Sequence, residues 1–160
     1  MLQLFQPAPI AVSAVYRQDA LPERALGYRR ETMTLGWEER SKARARRRTD
    51  EGSVFATTLP RGTMLRAGDA LVVDELALVV TIIERAEPVF LVHPRNSGEA
   101  ALFAYYIGNS HQPVMIDRGV IVCADLPGMQ QVLEQYGIPF ARAERPFTPV
   151  SGMADHRHGA

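Results

Sequence analysis

The chain has 160 residues, with 18 Lys and Arg against 18 Asp and Glu, 46% apolar residues and 22% charged residues. That composition excludes disordered, collagen-like and coiled-coil chains, and a net charge of zero argues against a dedicated nucleic-acid binder. One cysteine, Cys123, excludes an internal disulfide framework and a cysteine-rich zinc cluster, and no apolar run approaches the roughly 20 residues that cross a bilayer.

The first half of the chain reads as short strands. Ile10 to Tyr16 alternates loosely, and Glu31 to Trp37 sets Met33 and Leu35 against Thr32 and Thr34, the pattern of a half-buried strand. Ser41 to Thr49 alternates Ala43 and Ala45 with Lys42, Arg44 and Arg46. Asp50-Glu51-Gly52 and then Val54 to Leu59 complete a hairpin signal. Pro60-Arg61-Gly62 and Ala67-Gly68-Asp69 mark further turns, and Leu71-Val72-Val73 and Leu76 to Ile83 are rich in β-branched residues. Residues 1–75 are expected to form a small all-β domain.

The period then changes. Glu84 to Val92 continues as strand, with Pro88 implying an edge or a bulge. Asn96, three residues before Glu99, predicts a helix cap. Ala100, Phe103, Ala104 and Ile107 line one helical face, with Gly108 placed just past the end. Val114 to Asp117, the turn Arg118-Gly119 and Val120 to Ala124 predict a hairpin. Asp125 is expected to cap a second helix with Pro127 in its first turn, Met129, Val132, Leu133 and Tyr136 on its apolar face, and Gly137 and Pro139 ending it. Phe140 to Arg145 is a last strand. The order β-α-β-β-α-β is the split βαβ arrangement of ferredoxin-like domains. The expected fold is therefore α+β: an all-β domain, a ferredoxin-like domain over 76–147, and a flexible tail over 148–160. Two units of this size are individually small, which favours an oligomer. The start, Met1-Leu2-Gln3-Leu4-Phe5, lacks a basic n-region, so a cytoplasmic protein is expected.

Few groups offer chemistry. No Gly-rich phosphate loop, nucleophile elbow or His-Glu-x-x-His stands in the sequence, and no nucleophile–base pair is set up by spacing, so an enzyme is not expected. Cys123, inside Val120 to Ala124, is expected to be an inert core thiol. The densest charge run, Lys42 to Arg48, admits a nucleic-acid patch or the solvated, protein-docking face of a hairpin strand. Alternation with alanine and the lack of interleaved aromatics favour the second. The histidines are His93, His111, His156 and His158. His93, between a strand and Pro94, suits a structural or solvated role. His111 reads by itself as a loop histidine, and His156 with His158 as tail composition that also has chelating spacing.

Several stretches together point to a family. Gly108-Asn109-Ser110-His111-Gln112-Pro113, after Phe103-Ala104-Tyr105-Tyr106, resembles the Gly-Asn-x-His motif of UreE, the urease accessory nickel chaperone. Leu35-Gly36-Trp37-Glu38-Glu39-Arg40 with Ala43-Arg44-Ala45-Arg46 is similar to that family's N-terminal segment. Leu59-Pro60-Arg61-Gly62-Thr63 with Leu65-Arg66-Ala67-Gly68-Asp69 is similar to its next hairpin. Met129 to Gly137, then Pro146-Phe147-Thr148-Pro149, resembles its closing helix and strand. The resemblance implies a homodimer through the C-terminal domain, with an N-terminal domain that holds partner proteins. It implies that His111 meets its two-fold mate across a Ni(II) cargo, assisted by His156 and His158, on ligands that also suit Zn(II) or Cu(II). It implies delivery of nickel to the urease apoprotein with its accessory GTPase; the lack of a long apolar run argues against a membrane partner. The short tail argues against storing many nickel ions, and Ala124-Asp125-Leu126-Pro127-Gly128, which lacks histidine, against a second site there. The rival expectation is a non-enzymatic module that binds protein or nucleic acid through the Arg-rich hairpin 42–48, with nucleic acid the less favoured ligand.

Overall fold

The structure, a computed structural model, describes residues 10–150. The chain divides into two units, Met1–Arg85 and Ala86–Ala160, each with its own core. The boundary follows Arg85 rather than residue 75, because the β-branched run after Leu76 is an inner strand of the first unit. The expected tail falls outside the described residues beyond Val150.

The first unit stacks two sheets. Strands β1 (Ala11–Val12), β4 (Arg44–Arg48) and β5 (Val54–Thr58) form one, in the order β1-β5-β4. Strands β2 (Tyr16–Arg17), β3 (Arg29–Leu35), β6 (Asp69–Val73) and β7 (Leu78–Glu84) form the other, in the order β2-β6-β7-β3, with β3 parallel to β7. The period of two sorts the side chains. Met33, Leu35, Leu71, Val73, Leu78, Val80 and Ile82 meet Val12 and Phe55 in the core. Ala70, Val72 and Val79 face the other way and are covered by Ala25, Leu21 and Tyr28 from the segment that holds two 3-10 turns, Gln18–Ala20 and Glu23–Ala25. Burial on both faces explains why β6 reads as an unbroken apolar run after Asp69.

A short helix, α1 (Trp37–Ser41), joins β3 to β4, and Glu39 accepts from the Gly36 N–H at its start (3.1 Å). Two arginines are buried beside it. Arg40, with no exposed surface, donates to Glu84 (3.1 Å) and to the Leu65 carbonyl (3.0 Å). Arg47 donates to the Glu39 carbonyl (2.8 Å), the Lys42 carbonyl (2.6 Å) and Thr57 Oγ1 (3.2 Å). Arg47 thus leaves the solvated charge run, whose exposed members are Lys42, Arg44, Arg46 and Arg48.

The second unit is a four-stranded antiparallel sheet under two helices. Strands β8 (Ala86–Val92), β9 (Val114–Asp117), β10 (Val120–Ala124) and β11 (Ala141–Pro146) lie in the order β11-β8-β10-β9. This is the ferredoxin-like order expected from the alternation of elements. Helices α2 (Ser97–Asn109) and α3 (Met129–Gln135) supply Ile107, Met129 and Leu133 to a core with Phe90, Val92, Ile121 and Cys123. Phe140 meets Phe90 edge-on at 5.1 Å, and Tyr106 stacks on Tyr136 at 4.2 Å. Pro88 lies in an interior strand, not on a free edge or in a bulge. It pairs with Glu144 of β11, while the ladder to β10 ends at Val89, where a proline has no N–H to continue it. Asp125 does not cap α3; it pairs with Arg142 (2.6 Å), and the left-handed Gly128 (φ 91°) begins the helix. The Arg118-Gly119 turn has positive φ at both residues, as a tight two-residue hairpin requires.

Glu31 is buried at the joint of β3 and the β4–β5 turn, and accepts from Thr49, Ser53 (2.9 Å) and Arg29. Burial alone would raise its pKa, but the bonds from Thr49 and Ser53 and the charge of Arg29 hold it below the usual carboxylate range. A depressed pKa stabilises the fold above the unfolded value of about 4.3 and loses that contribution as pH falls through the folded value. Acid unfolding followed by fluorescence of Trp37, the single tryptophan, is expected to show Glu31→Gln less stable at neutral pH and less pH-dependent below about pH 4.

Candidate metal site

The site is built on the end of α2. Asn96 caps the start, its Oδ1 accepting from the Glu99 N–H (2.9 Å), while Glu99 reaches back to the Arg95 N–H (2.8 Å). The unbroken apolar run Ala100–Ile107 gives the helix more apolar surface than one face needs. Phe103, Tyr106 and Ile107 pack on the sheet. Leu102 (47% exposed) and Tyr105 (63% exposed) point outward with Ala101, Ala104 and Gly108. That second apolar face was legible in the length of the run, but a one-face reading of the helix passes over it.

Gly108 does not terminate the helix; α2 runs through Asn109. The left-handed residue that ends it is His111 itself (φ 55°), whose N–H donates to the Gly108 carbonyl (3.0 Å). Ser110 Oγ closes the turn on the Ile107 carbonyl (2.6 Å). A non-glycine residue in this region is uncommon, and histidine is among the side chains found there most often. The turn leaves the His111 imidazole exposed at the tip of the helix.

After β11 the chain returns to this end of the unit. The Thr148 N–H donates to Met115 Sδ (3.3 Å) and the Val150 N–H to the Val114 carbonyl (2.7 Å), so the backbone runs beside β9. Val150 is the last described residue and lies opposite a residue three positions after His111. His156 and His158 lie outside the described residues.

The other groups do not join His111. His93, exposed, precedes α2 and His111 follows it, and 13 helical residues span about 20 Å. Asp117 and Asp125 bind Arg145 and Arg142 (2.5 and 2.6 Å), and Glu99 is held by Arg95. Cys123 is fully buried, and burial pushes its thiol up to about 12, so it is a protonated core group, as expected. Among the described residues, no three His, Cys, Asp or Glu side chains converge on a metal-sized space. Among the described residues, His111 therefore belongs to no three-donor cluster. No helix among the described residues is long and apolar enough to cross a membrane.

The architecture is that of a two-domain α+β protein, a β-rich domain followed by a split βαβ domain with one exposed imidazole at a helix end. Residues 15–84 match the family model for the N-terminal domain of the UreE urease accessory protein, and residues 87–160 match that for its C-terminal domain. The chain belongs to the UreE family. It is 38% identical over 137 residues to the urease accessory protein UreE of Burkholderia thailandensis, covering 84% of this chain and 64% of that one. It is 37% identical over 130 residues to the UreE of Burkholderia vietnamiensis, covering 80% of this chain and 64% of the relative. The chain thus spans about two thirds of the length of these relatives. Membership in a family of accessory proteins accords with the expectation that the chain is not an enzyme.

The left-handed backbone at His111 makes a stability prediction independent of metal. His111→Gly is expected to unfold at a higher free energy than His111→Ala by about 1 kcal/mol, because only glycine meets this φ without a Cβ clash. Urea denaturation of the two variants measures the difference.

Proposed function

We propose that this chain is a metallochaperone that binds Ni(II) through His111 and delivers it during assembly of the urease active site. The observation that supports this most directly is the placement of an exposed His111 at the end of α2, with the backbone leading to His156 and His158 pinned beside it at Val114. One imidazole holds a divalent ion weakly. A two-fold axis beside His111 doubles the ligand with no added sequence, since an isologous interface sets the same residue against itself. The outward face of Leu102 and Tyr105 is the surface such an axis would bury, with exposed Ile116 (53%) on β9.

Neutral imidazole suits Ni(II), and also Cu(II) and Zn(II), so cargo identity rests with supply and partner rather than with ligand type. A site of few rigid donors, completed by tail histidines, exchanges its ligands readily, which favours transfer over retention. The recipients are the urease apoprotein and its accessory GTPase in the cytoplasm, and the N-terminal domain holds partner proteins while the C-terminal domain dimerises. Domain assignment follows the structural division after Arg85.

Calorimetric titration of the metal-free chain with Ni(II) tests the site. About one tight ion per two chains is expected, with His111→Ala weakening it at least tenfold. Equal binding by wild type and His111→Ala would remove His111 from the site. Tyr105→Asp is expected to shift native mass from dimer to monomer, because a charge on this face opposes its burial.

A further inference from the structure

The first unit presents a basic sheet edge that the metal site does not use. In β4, the Leu59 N–H donates to the Ala43 carbonyl (2.9 Å) and the Thr49 N–H to the Ser53 carbonyl (2.9 Å). Odd-numbered residues therefore turn their backbone groups toward β5. Arg44, Arg46 and Arg48 turn theirs away from it. Strand β4 ends the order β1-β5-β4, and none of these three residues has a backbone partner on that outer side among the described residues. The outer side closes only past the strand, where the Asp50 N–H donates to the Thr32 carbonyl (2.8 Å).

The side chains of the same three residues share one face. Their cross-strand partners are Thr58, Ala56 and Val54, small groups that leave the guanidiniums exposed. Arg44, Arg46 and Arg48 enter no ion pair among the described residues, in contrast to Arg17, Arg24, Arg29, Arg40 and Arg85 of the same unit. Exposed Arg61 adds a further guanidinium. With Arg44, Ala43 and Leu59 it lines a depression of about 220 Å³ at the start of the strand.

We propose that β4 is a docking edge for an extended, acidic segment of a partner protein, which adds to the sheet as a further strand with its carboxylates against Arg44, Arg46 and Arg48. Alternate residues of a strand repeat about every 6.8 Å, so an extended segment with an acid at every second position matches the arginines in step. The edge offers N–H donors and carbonyl acceptors in alternation, and a peptide backbone satisfies both. A phosphate backbone has no donors for the carbonyls, and this face carries no aromatic side chain on which a base could stack. A second copy of β4 would set arginine against arginine, which repels. Residues 1–9 contain no acidic residue and residues 151–160 only Asp155, so neither stretch carries the alternating acids that the edge would match.

The test is amide hydrogen exchange by NMR on the full chain, with a synthetic peptide of about eight residues alternating glutamate with valine and threonine. The Arg44, Arg46 and Arg48 amides are expected to exchange rapidly in the free protein and to become protected on peptide addition, while Ala45 and Arg47 are protected throughout. Replacing all three arginines with serine is expected to weaken the peptide at least about tenfold. Arg46→Pro removes an N–H that β5 does not use, and is expected to bind less tightly than Arg46→Thr. Binding without new protection at these amides overturns the proposal. So does equal binding of a permuted peptide of the same composition, or an Arg-dependent preference for random-sequence duplex DNA.

Discussion

Ile107, with no surface exposed, fixes the last turn of α2 to the sheet through Phe90, Val92, Ile121 and Cys123. Everything at the helix tip depends on that contact. The turn can neither rotate nor slide without pulling a large apolar side chain into water, a loss of roughly 2 kcal/mol or more before any cavity forms. With Ile107 fixed, its carbonyl is where Ser110 Oγ must reach, and Gly108 is where the His111 N–H must bond. The left-handed His111 follows from these two bonds and from the need to enter β9 three residues later. A core contact thus sets the direction of an imidazole that touches none of the core.

The same helix explains why one element serves two masters. A helix apolar on a single face is satisfied by its own sheet. Here Phe103, Tyr106 and Ile107 satisfy the sheet, and Leu102 and Tyr105 are left over. Tyr106 stacks flat on Tyr136, tying α2 to α3 from the side. The outward face is therefore carried on a braced element, and a second surface can close on it with little rearrangement. The burial of Arg40 and Arg47 plays a similar part in the first unit. Both end on backbone carbonyls, so the path from β3 into β4 is held by charged groups as well as by the apolar packing of Leu35 and Ala43.

Much of this was legible in the sequence where a period was long enough to read. The alternation of Met33 and Leu35 with threonines gave β3, the Asn96–Glu99 spacing gave the start of α2, and Arg118-Gly119 gave the β9–β10 turn. The legible features are local: period, cap and turn each act within a few residues. The boundary at Arg85 was not legible, because an inner strand such as β7 carries the same apolar run wherever the domain ends. The expected Asp125 cap failed because the carboxylate had a better partner in Arg142, distant in sequence. Gly108 is the local candidate for the end of α2 because glycine usually takes the left-handed position, and nothing local marks His111 to take it instead. Of the three histidines expected as metal ligands, only His111 lies among the described residues, and the pairing of Val150 with Val114 beside β9 is a tertiary fact no spacing records.

Cys123 sits in β10 with its thiol buried, protonated and unable to reach solvent. It is the chain's only cysteine. The imidazoles therefore stand without any competing thiolate. An oxidant finds no accessible sulfhydryl to convert to a sulfenate or a mixed disulfide. A metal held at His111, as proposed above, would exchange by ligand competition alone, indifferent to the thiol redox state around it.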